Sequence, residues 1–215
     1  RRSTKLNFFY NMSITNWIVL INIIFFIISV LALITYPEFW DYTVLKPSNI
    51  LDGKSVWTLL TSMFLHAGLG HLFVNMMSLL FIGNFIERII GRKRFLWFYL
   101  ISGIVAGLFF VVFSFILKSN LDVAAVGASG AIFGLGGLLA ILTPKLPVLV
   151  FFVIPMPMWA AMLFLLLFLW FLSLALELPI GNTAHLGGLL VGVIYGIYLR
   201  YKYKRKVAIL NSYFR

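Results

Sequence analysis

Six apolar runs leave this chain no soluble fold. They cover residues 17–35, 66–86, 95–117, 129–143, 158–176 and 184–200, and a helix of ~20 such residues crosses a bilayer. The composition agrees. Of 215 residues, 62% are hydrophobic and 11% charged, with a mean hydropathy of +1.05. A soluble domain is closer to half apolar and a quarter charged. A soluble enzyme and a disordered tail are therefore both excluded. The expected fold class is an all-α polytopic membrane protein with six spans. The first run is too long for a signal-peptide core, and no small-residue cleavage site follows it. The chain opens on Arg1, not methionine, so residues are expected to have preceded it.

Charge sets the orientation. The 17 cations and six acids give +11, a balance that suggests nucleic acid in a soluble protein. In a six-span chain it reports topology instead. One side receives Arg1, Arg2 and Lys5, then Arg88, Arg92, Lys93 and Arg94, then Lys145. It also receives Arg200, Lys202, Lys204, Arg205, Lys206 and Arg215. Only Lys46, Lys54 and Lys118 fall on the other side, with every acid except Glu87. By the positive-inside rule both termini are cytoplasmic, as expected in a cell membrane. The apolar stretch 146–157 holds Pro147, Pro155 and Pro157. A seventh span there would put the basic tail outside, so it reads as an irregular connection, either interfacial or covered by protein. The expected domains are a tail at 1–16, a membrane domain at 17–205 with an outer loop at 36–65, and a tail at 206–215. Trp40, Tyr42 and Trp57 suggest that the outer loop lies on the membrane.

The polar residues inside the runs point to a site, because such groups are costly in a bilayer. His66, His71 and Asn75 fall in the first part of span two, Ser129 opens span four, and His185 opens span six. With the termini inside, all five lie in the outer half of the bilayer. His71 and Asn75, four residues apart, share a helix face. Each residue alone could serve as hydrogen-bonding glue between helices; a common depth for all five is not explained that way. Span four is short. Fifteen residues give roughly 22 Å against a core of ~30 Å, which sinks Ser129 ~8 Å below the outer boundary. Gly130, Gly134 and Gly137 line span four, and Gly188, Gly192 and Gly196 line span six. Small residues let helices approach closely, which would bring Ser129 to His185. Serine needs a base to become a nucleophile, and neutral imidazole suits that task. No acid stands near enough for a third member, so a Ser–His dyad is expected. His71, Asn75 and the N–H groups at the start of span four would face a developing oxyanion. No cysteine is present, which excludes thiolate chemistry and disulfides.

These motifs resemble the rhomboid family of intramembrane serine proteases. Gly127-Ala128-Ser129-Gly130 is similar to its G-x-S-G. The stretch from Ala184-His185 through Gly188 to Gly192 is similar to its A-H-x-x-G-x-x-x-G, and His66, His71 and Asn75 to its second-helix pattern. The resemblance spans residues 17–205. It implies a six-helix core, Ser129 as nucleophile and His185 as general base. By the same resemblance His71, Asn75 and the Ser129 backbone would form the oxyanion hole, supported by His66, Gly127, Gly130 and Phe133. It also implies no metal or cofactor, and single-pass membrane proteins as substrates cut near the outer side. The Glu87…Gly91 pair resembles a further family feature. Two positions depart: Thr58 follows Trp57 where many members have arginine, and Phe133 stands where many have tyrosine. Phe133 can still stack on His185.

Two other readings use the same residues. A zinc protease needs H-E-x-x-H, and no acid adjoins a histidine here. A transporter with a polar histidine site should carry acids deep in its spans or inverted repeats; neither is present. The expected partners are single-pass substrates and the bilayer, with no nucleic acid. Nothing in the chain sets an oligomeric state. Span five, 158–176, lacks the glycine spacing that joins spans four and six, and is expected to be the moving wall of a lateral opening.

Overall fold

The structure, a computed structural model, describes residues 12–214. Arg1, Arg2, Lys5 and Arg215 of the charge pattern lie outside the described residues. The first long helix, α1 (Ile14–Thr35), is followed by three short ones, α2 (Phe39–Thr43), α3 (Pro47–Leu51) and α4 (Thr58–Thr61). The second span runs over Leu69–Ile90 as α5 (Leu69–Ser78), a π turn at Leu79–Gly83, and α6 (Asn84–Ile90). Then come α7 (Arg92–Ile116), α8 (Ser129–Leu142), α9 (Met158–Ala175), α10 (Asn182–Lys202) and α11 (Lys204–Ser212). Among the described residues, five helices are long and apolar enough to cross a membrane. The sixth apolar helix, α8, is shorter, as its sequence predicts.

Helix α8 is the centre. Eleven of its 14 residues are buried, and glycines on different flanks admit different neighbours. A Cβ on Gly130 or Gly134 would stand 2.7 Å from Ala106 or Ser102 of α7, and one on Gly136 would stand 2.3 Å from Met162 of α9. The tightest approach is with α10. There, a Cβ on Gly188 would lie 2.0 Å from the Gly130 carbonyl oxygen, and one on Gly192 would lie 2.0 Å from that of Gly134. The expected contact between the two glycine faces is therefore real. It is a backbone-to-backbone approach that any side chain would block.

Glu87 organises the opposite end of the molecule. Its side chain is 6% exposed, and its carboxylate accepts hydrogen bonds from the Ile14 and Thr15 amides and the Thr15 hydroxyl, each 2.8 Å. Unpaired N–H groups at a helix start need acceptors; here the second span supplies them to the first. Ser13 adds its hydroxyl to the Asn16 amide and donates to Asn84. The Arg92 guanidinium donates to the Met12 carbonyl.

Three expectations change. Residues 146–157 are not irregular. They form a two-stranded antiparallel hairpin, β1 (Pro147–Val150) with β2 (Ile154–Pro157), which adds a small β element to the expected all-α fold. Val148, Val150 and Ile154 favour strands, and pairing satisfies backbone groups that an apolar setting would otherwise leave open. Phe151 and Phe152 make the turn at φ of 52° and 62°. Second, His66 precedes the second span, because α5 starts at Leu69. Third, the outer loop does more than rest on a surface. Val44 and Leu45 are buried, Leu45 bridges Ala125, and Ser48 bonds the Leu121 carbonyl and Asp122.

Placing a methyl group on Gly192 must separate α8 from α10. Overpacking of this kind costs about 1–3 kcal/mol. Gly192→Ala is expected to lower the thermal midpoint in detergent, whereas Gly70→Ala, whose added Cβ meets nothing within 4 Å, should not lower it. An unchanged midpoint for Gly192→Ala would contradict the close approach.

Candidate active site

Ser129 is the first residue of α8. The chain reaches it through Gly127, whose φ of +119° is open to glycine and strained for other residues. The Gly127 amide donates to the Ser62 carbonyl at 2.8 Å, which ties the approach to the end of the outer loop. No side chain caps α8, so its first N–H groups remain directed at the space beside Ser129.

His185 sits in the first turn of α10, its amide bonded to the Gly181 carbonyl. Its Nε2 lies 2.8 Å from the Ser129 Oγ. The two residues are 56 positions apart, and the Gly188 and Gly192 contacts below them set the separation of their helices. Phe133, one turn into α8, stacks on the imidazole with ring centres 4.5 Å apart and planes 14° apart. The stack works without the tyrosine hydroxyl. His185 is 6% exposed, and its Nδ1 meets no hydrogen-bonding partner among the described residues. Ser129 itself is only half-buried.

His71 and Asn75 reach the same place from α5. A Cβ on Gly127 would stand 2.7 Å from the His71 Cε1, 3.0 Å from its Nε2 and 3.8 Å from the Asn75 Nδ2. Glycine here is therefore required twice, by backbone conformation and by room for the two side chains. The Ala67 amide donates to the His71 Nδ1 at 3.5 Å, a long bond that favours the tautomer with hydrogen on Nε2. Asn75 gives one amide hydrogen to the His71 carbonyl and keeps a second. His66, though outside the helix, is buried, and its ring meets His71 edge-on with centres 5.2 Å apart. Neither of its nitrogens has a partner among the described residues.

His66, His71, Asn75, Gly127, Phe133 and His185 lie around Ser129, while the Glu87…Gly91 pair lies at the opposite end of the molecule. Gly130 contributes its backbone to the contact with Gly188, and Gly196 packs on Ile141. The Ser62 carbonyl and the Ala67 amide were not foreseen. Both act through backbone atoms and leave no mark in residue type. Among the described residues, no group of histidine, cysteine and acid side chains could hold a metal ion.

Comparison with known proteins follows the same residues. A rhomboid domain profile matches residues 53–202. Rhomboid protein 1, mitochondrial, of Saccharomyces cerevisiae is 30% identical over 80% of this chain and 50% of its own length. RHOMBOID-like protein 1 of Arabidopsis thaliana is 38% identical over 71% of this chain and 36% of its own. The putative rhomboid protease YdcA of Bacillus subtilis is 40% identical over 46% of this chain and 47% of its own. The chain thus spans half or less of these relatives. Another similar protein, of Arabidopsis thaliana, carries the name inactive RHOMBOID-like protein 8.

A serine hydroxyl 2.8 Å from a buried imidazole nitrogen should react with fluorophosphonates. Labelling of the purified protein is expected at Ser129. A base typically contributes ~10²–10⁴-fold, so His185→Ala should slow labelling by at least ~10². Equal labelling of Ser129→Ala would remove this serine as the reactive group.

Proposed function

The chain belongs to the rhomboid family, and from that premise we propose that it is an intramembrane serine endopeptidase working through a Ser129–His185 dyad. The 2.8 Å contact between the Ser129 Oγ and the His185 Nε2 carries the reading. An inactive member would be expected to lack one of these two side chains.

In the proposed cycle the His185 Nε2 takes the Ser129 proton as Oγ attacks the scissile carbonyl carbon. The oxyanion receives hydrogen bonds from the Ser129 N–H, the His71 Nε2–H and the free amide hydrogen of Asn75. His185 then protonates the departing amine, leaving an ester on Ser129. Water attacks that ester with His185 again as base, which releases the carboxylate product and restores the serine. The unpartnered His185 Nδ1 fits a two-membered dyad, with Phe133 orienting the ring by stacking in place of an acid. His66 supports His71 through its ring edge. No cofactor enters the cycle. The proposed substrates are single-pass membrane proteins, cut in the outer half of the bilayer, with both termini of the enzyme in the cytoplasm.

Cleavage of a single-pass substrate in detergent tests this reading. Ser129→Ala and His185→Ala are expected to abolish cleavage without unfolding the protein. His71→Ala and Asn75→Ala should each lower kcat by ~10²–10³ with a smaller change in KM, as loss of an oxyanion donor does. A change confined to KM would take both residues out of that role.

Substrates would arrive sideways, beside α9. That helix packs on α8, α10 and the hairpin, and has no comparable packing on the second span. The hairpin tip bridges the interval. Phe152 meets Phe73 of α5 with ring centres 6.2 Å apart, and Phe151 meets Phe164 and Phe168 of α9. Two residues from both His71 and Asn75, Phe73 lies on the outer flank of its helix. The tip therefore covers the interval from the lipid side. With no native cysteine, Phe73→Cys and Phe152→Cys can be joined by a short reducible bis-methanethiosulfonate. Joining is expected to stop substrate cleavage but spare fluorophosphonate labelling, and reduction should restore cleavage. Full cleavage by the joined protein would exclude this route.

A further inference from the structure

The end of the bundle far from Ser129 concentrates positive charge without matching acids. Arg88, Arg92, Lys93 and Arg94 lie at the junction of α6 and α7, and Arg200, Lys202, Lys204, Arg205 and Lys206 at that of α10 and α11. The acid here is Glu87, which is buried and engaged with the start of α1. Arg92 shares it, with Nε 3.8 Å from its Oε1. Among the described residues, Arg94 and Lys206 form no ion pair with a carboxylate.

The position of Arg94 makes the imbalance sharper. Arg92, Lys93 and Arg94 are the first three residues of α7, whose first turn carries no acid and no side-chain cap. Cations are unfavourable at the positive end of a helix dipole, and anions are favoured there. At the end of α10 the dipole points the other way and favours Arg200 and Lys202. These two helix ends meet at α11, which docks by burying Val207 and by the Asn211 amide donating to the Leu142 carbonyl at 2.7 Å.

Between them lies a groove of about 110 Å³. It is lined by the apolar side chains of Ile90, Leu199 and Leu210 and by Arg94, Lys206 and Tyr203. The Lys206 Nζ lies 5.9 Å from the Tyr203 ring centre. An apolar lining, two cations without carboxylate partners and a helix N-terminus together suit an amphiphile with a negative head. Basic pockets between helices at a membrane boundary bind anionic lipid head groups.

We propose that this groove binds an anionic phospholipid, its phosphate held between Arg94 and Lys206 and a stretch of acyl chain lying over Ile90, Leu199 and Leu210. A free phosphate shares the head-group chemistry but has nothing to place against the apolar lining. The bound lipid would fasten α11 and α7 to the lower end of α8, supplying the negative charge that the chain does not. This site is independent of the proposed proteolysis.

The full chain in a neutral detergent is titrated with dioleoylphosphatidylglycerol, dioleoylphosphatidylcholine or inorganic phosphate while thermal unfolding is followed. Phosphatidylglycerol is expected to raise the midpoint by roughly 5 °C at saturation. The other two should leave it within about 1 °C. Native mass spectrometry should retain one phosphatidylglycerol. Arg94→Gln with Lys206→Gln should at least halve the midpoint response and remove the retained lipid, leaving Ser129 labelling unchanged. Three outcomes would overturn the proposal: an equal response to phosphatidylcholine, an equal response to inorganic phosphate, or full lipid retention by the double variant. Should the double variant unfold, Lys206→Gln alone, on an exposed position of α11, gives the same comparison by mass spectrometry.

Discussion

The contact between α8 and α10 sets everything else. Two helices can touch backbone to backbone only where side chains are missing from the interface. Gly188 and Gly192 provide this against the Gly130 and Gly134 carbonyls. Dispersion and packing, not the hydrophobic effect, hold helices together in lipid, and they fall steeply with distance. An added methyl group would therefore weaken the whole face and move its upper end. At that end stand Ser129 and His185, whose 2.8 Å contact has little tolerance. Helix packing and the proposed chemistry rest on the same glycines.

A second consequence is the burial of α8. Glycines facing α7, α9 and α10 let three neighbours close around a helix of 14 residues. Its N-terminus lies beside His71 and Asn75, where Ser129 is half-buried. Gly127 then brings the chain in under His71 and Asn75, with Ser62 holding it by a backbone hydrogen bond. The outer loop, far from being a passive cover, is thereby attached to the floor of the site.

Much of this was legible in the residues. Glycines at a spacing of four, histidine and asparagine at a spacing of four, and serine after a loop each report which groups share a face. Side-chain chemistry at helical spacing reads well because a membrane helix must satisfy its own backbone. The failures have the opposite cause. At 146–157 a short apolar run with prolines carries no period that separates strand from irregular chain, and the hairpin depends on pairing between its two halves. The start of α5 after His66, the π turn at Leu79–Gly83 and the roles of Ser62 and Ala67 also depend on backbone geometry. Residue type does not encode them.

Scarcity of acid joins the two ends of the molecule. The chain carries six acids against 17 cations, and the one within the basic end, Glu87, is committed to capping α1. At the Ser129 end, the His185 Nδ1 has no carboxylate partner among the described residues, and the ring is stacked on Phe133. At the basic end the scarcity leaves Arg94 at the positive pole of α7 with no internal counter-charge. Adding an acid would relieve either end, but each would then lose something. A carboxylate beside His185 would have to be buried and would raise the cost of the apolar surroundings. One beside Arg94 would neutralise the charge on which the proposed cytoplasmic placement of this end rests. A chain short of acids leaves the charge at its basic end without an internal partner.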